Sequence, residues 1–155
     1  MVSMNEPSRP RRINPPHYFL FSLIAMAALA AVPGEPMFRW PWPLIGVVPL
    51  AAGLAIALIA ARRFSVVGTN IVPLTPSSAL VTDGPFAFTR NPMYLGMTLA
   101  LAGVSLLIAR PWPCLIVPLF VAVLQLRFIR HEERLMAETF GDAYLEYLAR
   151  TRRWL

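Results

Sequence analysis

Residues Tyr94–Leu126 read YLGMTLALAGVSLLIA, then Arg110-Pro111, then WPCLIVPLFVAVLQL, and this stretch decides the fold. Neither Tyr94–Ala109 nor Trp112–Leu126 holds an Asp, Glu, Lys, Arg or His. Two apolar segments joined by so short a connection must form an antiparallel helical hairpin. Two further ion-free blocks precede it, Tyr18–Val32 and Trp42–Ala61. A membrane-spanning helix needs roughly 20 apolar residues to cross about 30 Å of hydrocarbon, so the four blocks are bilayer-sized or nearly so, the first and third being short. With 57% hydrophobic and only 14% charged residues, the chain departs from the composition of an ordinary soluble domain.

The flanks support the same reading. Tyr18, Trp40, Trp42, Tyr94 and Trp112 sit at block ends, where amphipathic rings settle at the headgroup level. All fourteen basic residues are arginine. With a cytoplasmic N-terminus, Arg9, Arg11, Arg12, Arg62, Arg63, Arg90 and the six arginines from Arg127 onward face inward, leaving Arg39 and Arg110 outside. The expectation is a multi-pass integral membrane protein with both termini cytoplasmic, whose +6 charge reflects this bias and attraction to anionic headgroups. Nucleic-acid binding is not needed to explain it. After Val32 the sequence Pro33-Gly34-Glu35-Pro36 lacks a small-x-small cleavage site, so the first block reads as retained. Cys114 is the only cysteine and there are two histidines, which excludes an internal disulfide and argues against a metal site.

The fold class read from these patterns is all-α and membrane-integral, with about four transmembrane helices, a cytoplasmic helical extension and a short C-terminal helix. A cytoplasmic arm covers 1–16 and a single domain covers 17–155. Its spans are placed at 17–32, 42–61 and 92–109; the fourth, with its extension, covers 112–140. A loop fills 62–90; Gly141 stops the fourth helix's extension, and Asp142 is the N-cap of a last helix placed at 142–149. The loop is long, carries Pro73, Pro76 and Gly84-Pro85, and yet has apolar side chains to pack, which marks it as functional and not merely connecting. Gly96, Ala100 and Gly103 give the third helix a small-residue face for close packing against a neighbour.

Two segments bracket the hairpin and meet at its inner end. One runs Val81-Thr82-Asp83-Gly84-Pro85-Phe86 through Arg90-Asn91-Pro92-Met93-Tyr94-Leu95-Gly96; the other is Arg130-His131-Glu132-Glu133-Arg134-Leu135, followed by Phe140-Gly141 and Tyr144. Leu-Val-x-x-Gly-Pro-aromatic, Arg-Asn-Pro-x-Tyr-x-Gly, a hydrophobic hairpin, Glu-Glu-x-Leu, Phe-Gly-x-x-Tyr-x-x-Tyr and an arginine-aromatic tail stand in fixed order from Ser78 onward. This order resembles the isoprenylcysteine carboxyl methyltransferase and phospholipid methyltransferase family. The resemblance implies a membrane fold without a Rossmann sheet, with S-adenosylmethionine bound between the hairpin ends and the loop before the third helix. It places cofactor contacts on Ser78, Ala79, Leu80 and Val81, on Phe86, on Asn91 and on Glu132. Asn91 stands where the isoprenylcysteine enzymes have a histidine, so it can hydrogen-bond but cannot act as an imidazole acid or base.

The chemistry of such a cofactor, with its ammonium, carboxylate, sulfonium and adenine, calls for an anion, cationic donors and an apolar wall. Glu132 suits the ammonium, Arg90 or a C-terminal arginine the carboxylate, and Phe86 and Tyr94 the flat parts. Glu133 is a further contact, or it pairs with Arg130 on a solvated helix face. Arg127, a little over one turn before the glutamates, is the candidate for an acceptor carboxylate. Arg152, Arg153 and Trp154 hold the tail on the membrane surface or, by the resemblance, help close the site. The expected activity is methylation of a lipophilic acceptor at the cytoplasmic face, by carboxyl O-methylation or, alternatively, by phospholipid N-methylation. A non-enzymatic membrane scaffold is the third reading.

Overall fold

The computed structural model describes residues 14–68 and 78–155. The arm expected over 1–16 therefore lies almost wholly outside the described residues, as does the middle of the 62–90 loop. Five helices make up the described part. They are α1 (Pro15–Ala30), α2 (Trp42–Val67), α3 (Pro92–Ile108), α4 (Pro111–Phe140) and α5 (Asp142–Arg150). There is no strand among the described residues, only a lone parallel bridge between Thr89 and Arg152.

Local sequence explains the helix ends. Pro15 and Pro16 open α1, Pro92 opens α3 and Pro111 opens α4, at positions where the missing amide would have had no helical partner. Helix α2 runs through Arg62 and Arg63, where the sequence pattern stopped it, and ends at Gly68 with φ +70°, a left-handed conformation that glycine adopts without strain. Helix α4 is continuous but carries a π-helical turn over Gln125–Ile129, one residue of extra slack per turn at the level where it leaves the core.

Helix α3 is the centre of the packing. On one side α2 lies against it with backbones in contact. A methyl group added to Gly103 would sit 2.6 Å from Gly46 O, and one added to Gly96 would sit 2.5 Å from Gly53 O. Within lipid no hydrophobic force draws helices together, so this glycine seam supplies association through van der Waals contact at the closest possible approach. On the other side α1 and α4 pack through side chains, with Met26, Tyr94, Leu101, Phe120, Leu124, Phe128 and Ile129 forming the core. A second cluster joins Ala60 and Phe64 of α2 to Val81 and Phe86 of the loop.

Many apolar side chains face outward. Leu20, Phe21 and Ile24 on α1, Leu54, Leu58 and Ile59 on α2 and Leu115 and Leu119 on α4 all point outward. Helices α2 and α4 are long and apolar enough to cross a membrane, and their apolar residues are mostly exposed, unlike those of a soluble core helix. Helices α1 and α3, at 16 and 17 residues, fall short of the usual length, so two of the expected four spans are long and apolar enough to cross.

The bundle has two poles. At one, Arg110 donates to Gly34 O at 2.8 Å and Met37 N–H to Ala109 O at 2.7 Å, locking the α1–α2 connection onto the hairpin turn. The opposite pole collects the end of α2, residues 78–94, the π turn, the α4 extension, α5 and the tail.

Candidate active site

At this second pole the start of α3 meets α4. The Tyr94 hydroxyl donates to Glu132 Oε1 at 2.7 Å, linking residues brought together by the Arg110-Pro111 turn. Tyr94 is buried and Glu132 half-buried, so the carboxylate is held in a partly desolvated setting where a charged hydrogen bond is strong. Tyr94 also packs against Phe128, whose other side meets Tyr18 of α1.

Glu133 faces a different set of partners. Arg153 binds it through two N–H groups, Nε to Oε1 at 2.9 Å and Nη2 to Oε2 at 2.5 Å. Arg90 Nη2 lies 3.3 Å from Oε1. The solvated helix face with an Arg130 pair is thus not what forms, because Glu133 points inward and long-range partners win. The Glu133 hydrogen bond is the main reason the Arg153 guanidinium is held above its ordinary pKa, with burial opposing it.

The loop before α3 is fixed from both sides. Asp83 pairs with Arg63 at 3.2 Å on the surface. A 3-10 turn over Gly84–Ala87 then buries Phe86 edge-on against Phe64 of α2. The Tyr147 hydroxyl of α5 donates to Phe86 O at 2.6 Å. Burial, chiefly, pushes the Tyr147 pKa above its usual value. Tyr144, also buried, is pushed up to about 12 by burial first and then by the Glu133 charge, against the opposing effect of Arg90.

The tail crosses this loop. Arg90 N–H donates to Arg152 O at 2.9 Å; the Thr89 hydroxyl and Asn91 Nδ2 both donate to Arg153 O, at 3.1 and 3.0 Å. Trp154 Nε1 reaches Gln125 Oε1 on the π turn at 3.2 Å. Arg90 Nη1 donates to Leu148 O at 3.4 Å, while its Nε is buried without an acceptor.

Of the residues singled out from the sequence, Phe86, Arg90, Asn91, Tyr94, Glu132 and Glu133 converge here. Val81 is buried in the cluster with Phe86, Leu80 is half-buried, and Ser78 and Ala79 open the described part of the loop. Arg127 stands exposed on the π turn and joins none of these hydrogen bonds or ion pairs. Sequence reasoning missed Thr89 and Gln125, and it carried Tyr147 only as the last tyrosine of the Phe-Gly-x-x-Tyr-x-x-Tyr motif, without the bond to Phe86 O. No group of three or more metal-binding side chains occurs among the described residues.

Fold and site together define an all-helical integral membrane protein with a polar, carboxylate-centred site at one end of its bundle. The chain belongs to the phospholipid methyltransferase family, whose model matches residues 42–143, and the family is one of membrane methyltransferases. The match takes in α2, α3, α4 and the first residues of α5. No curated protein sequence and no solved structure matches the chain.

Proposed function

We propose that the protein transfers a methyl group from S-adenosylmethionine to a lipophilic acceptor at the cytoplasmic face of the membrane. The observation that carries this reading is the Tyr94–Glu132 hydrogen bond, which holds a carboxylate at the joint of α3 and α4 within a methyltransferase fold. The residues present suit the cofactor. Glu132 would receive its ammonium group, Phe86 and residues 78–81 would wall its adenosine, and the buried, unpaired Arg90 Nε offers a donor for its carboxylate. When bound, the cofactor supplies an electrophilic methyl group on a sulfonium.

The chain's own contribution is then orientation, since an in-line displacement gains most of its acceleration from holding the reacting atoms in register. Tyr94 fixes Glu132, the Phe86 turn fixes the loop, and Arg127 on the π turn receives an acceptor carboxylate. Asn91 and Glu133, expected as further contacts, have polar groups committed to the tail.

Four spans and cytoplasmic termini complete the reading. Helices α1 and α3 are short, but both pack along α4 and end at the same poles as the longer helices. Arg62, Arg63, Arg90, Arg127, Arg130, Arg134, Arg150, Arg152 and Arg153 gather at the site pole, while Arg39 and Arg110 lie at the other, which supports a cytoplasmic site. Calorimetric titration of the solubilised protein with S-adenosylmethionine tests the proposal. Heat of binding that disappears in Glu132→Gln supports it; its absence in the unaltered chain returns the protein to a scaffold role.

Carboxyl O-methylation is the first reading for the acceptor. The family description favours a second, N-methylation of a phospholipid headgroup. Membrane lipids incubated with methyl-labelled cofactor separate the two: label released by mild base is a methyl ester, and stable label is an N-methyl product.

A further inference from the structure

The tail residues Thr151–Trp154 run along the site as a strap, bonded to Thr89, Arg90, Asn91, Glu133 and Gln125. It begins at buried Thr151, passes beside Thr89 and Arg90, and ends with Trp154 against the α1–α3–α4 core. Three kinds of contact hold it: backbone pairing of Arg90 to Arg152, side-chain donors from Thr89 and Asn91 to the Arg153 carbonyl, and the two-pronged Arg153–Glu133 ion pair. Side chains from the loop, from the N-cap of α3 and from α4 thus converge on one residue, Arg153. The strap lies beyond the residues matched to the family, so its anchoring is read from this chain alone.

We infer that Asn91 and Glu133 are positioning residues, which act on the cofactor site by pinning Arg153 of the strap and not by touching the cofactor. The two adjacent glutamates then divide their work: Glu132, held by Tyr94, faces the ligand, and Glu133 anchors the strap beside it. The amide of Asn91 is suited to this role because the Arg153 carbonyl needs a donor and an amide always presents one. A carboxylate of the same shape would repel that carbonyl, and an imidazole N–H would still serve it. Glu133 is mostly buried and accepts from two guanidinium groups, so its neutral amide analogue would leave Arg153 without a counter-charge.

This inference rests on the methyltransferase reading for its consequence but not for its first test. Hydrogen exchange in the cofactor-free protein would be followed at the Arg90 amide and through residues 151–155. Asn91→Asp and Glu133→Gln are expected to speed exchange there by about tenfold, while Asn91→His stays near the unaltered rate. Unchanged protection in both Asn91→Asp and Glu133→Gln overturns the inference, provided that circular dichroism shows the helices intact. In a second arm, S-adenosylmethionine affinity should fall about tenfold in Asn91→Asp and be restored in Asn91→His. An equal loss in both, with the strap still protected in Asn91→His, also overturns it, because Asn91 would then contact the ligand through its own amide. A chain that binds no cofactor at all defeats the methyltransferase reading, and the exchange arm still decides the strap.

Discussion

Tyr94 and Glu132 stand 38 positions apart in the chain, yet the hydroxyl of one donates to the carboxylate of the other at 2.7 Å. This bond ties the first turn of α3 to α4. It gives Glu132 a fixed orientation before any ligand arrives, and such preorganisation is what a positioning catalyst requires. Removing the hydroxyl should therefore weaken the proposed cofactor site without dissolving the fold. In Tyr94→Phe the aromatic packing on Phe128 survives, and we expect a loss of about 1.5–3 kcal/mol in S-adenosylmethionine binding, the usual worth of a hydrogen bond to a charged group. Titration calorimetry reads this directly; affinity equal to that of the unaltered protein would remove the bond from the mechanism.

The glycine seam between α2 and α3 leaves no room for a side chain. Gly53→Val and Gly96→Val should each lower the thermal unfolding midpoint of the solubilised protein, at a cost of about 1–3 kcal/mol or more from overpacking. Ala51→Val, on the outward face of α2, should change little. Equal effects at all three positions would mean that the seam is not a packing contact in the folded protein.

Outward-facing Leu54 and Leu58 distinguish a lipid environment from water. In a membrane an arginine at the middle of α2 costs about 2.5–3.5 kcal/mol on insertion scales, whereas an exposed arginine on a soluble protein costs almost nothing. Leu54→Arg should reduce the membrane-inserted fraction in a translation assay with microsomes or inverted vesicles. Undiminished insertion would contradict the lipid-facing assignment.

Alkaline stability follows from Tyr144. Its folded-state pKa is raised from 10.0 to about 12, so the neutral hydroxyl is favoured in the folded protein. The unfolded chain gives up its proton first as pH rises, and the stabilisation is complete below pH 10.0 and lost as pH climbs towards about 12. Unfolding measured across that window should show a decline that is shallower in Tyr144→Phe. A variant that loses stability as steeply as the parent would place the alkaline sensitivity elsewhere.

Much of the scaffold was legible because strong local signals agree with one another. The Arg110-Pro111 corner, the ion-free runs beside it and Gly141 at the end of α4 each dictate a local geometry that nothing distant can override. The small face made by Gly96, Ala100 and Gly103 was readable too, but not its partners Gly46 and Gly53, since periodicity marks a face without naming what covers it. The end of α2 was misplaced because Arg62-Arg63 looked like a boundary; long arginine side chains reach outward and let the helix continue, and Gly68 was the better stop signal.

The candidate site was readable only in part. Motif order brought Tyr94 and the glutamates to the same place, but the division between Glu132 and Glu133 depends on side-chain direction across three elements. Local spacing pointed Glu133 at Arg130, and the tail's guanidinium, twenty residues later, supplied the bond that formed instead. The π turn was invisible as well, since Gln125–Ile129 shows no composition that separates it from ordinary helix.

Main chain meets main chain along the Gly46–Gly103 and Gly53–Gly96 contacts, and a joint of that kind has no rotamers to rearrange. Helices α2 and α3 must therefore move as one stiff plank. Any widening of the bundle to admit a bulky tail falls to the opposite flank, where flexible side chains of α1 and α4 interlock and a loosened π turn already interrupts the regular ladder.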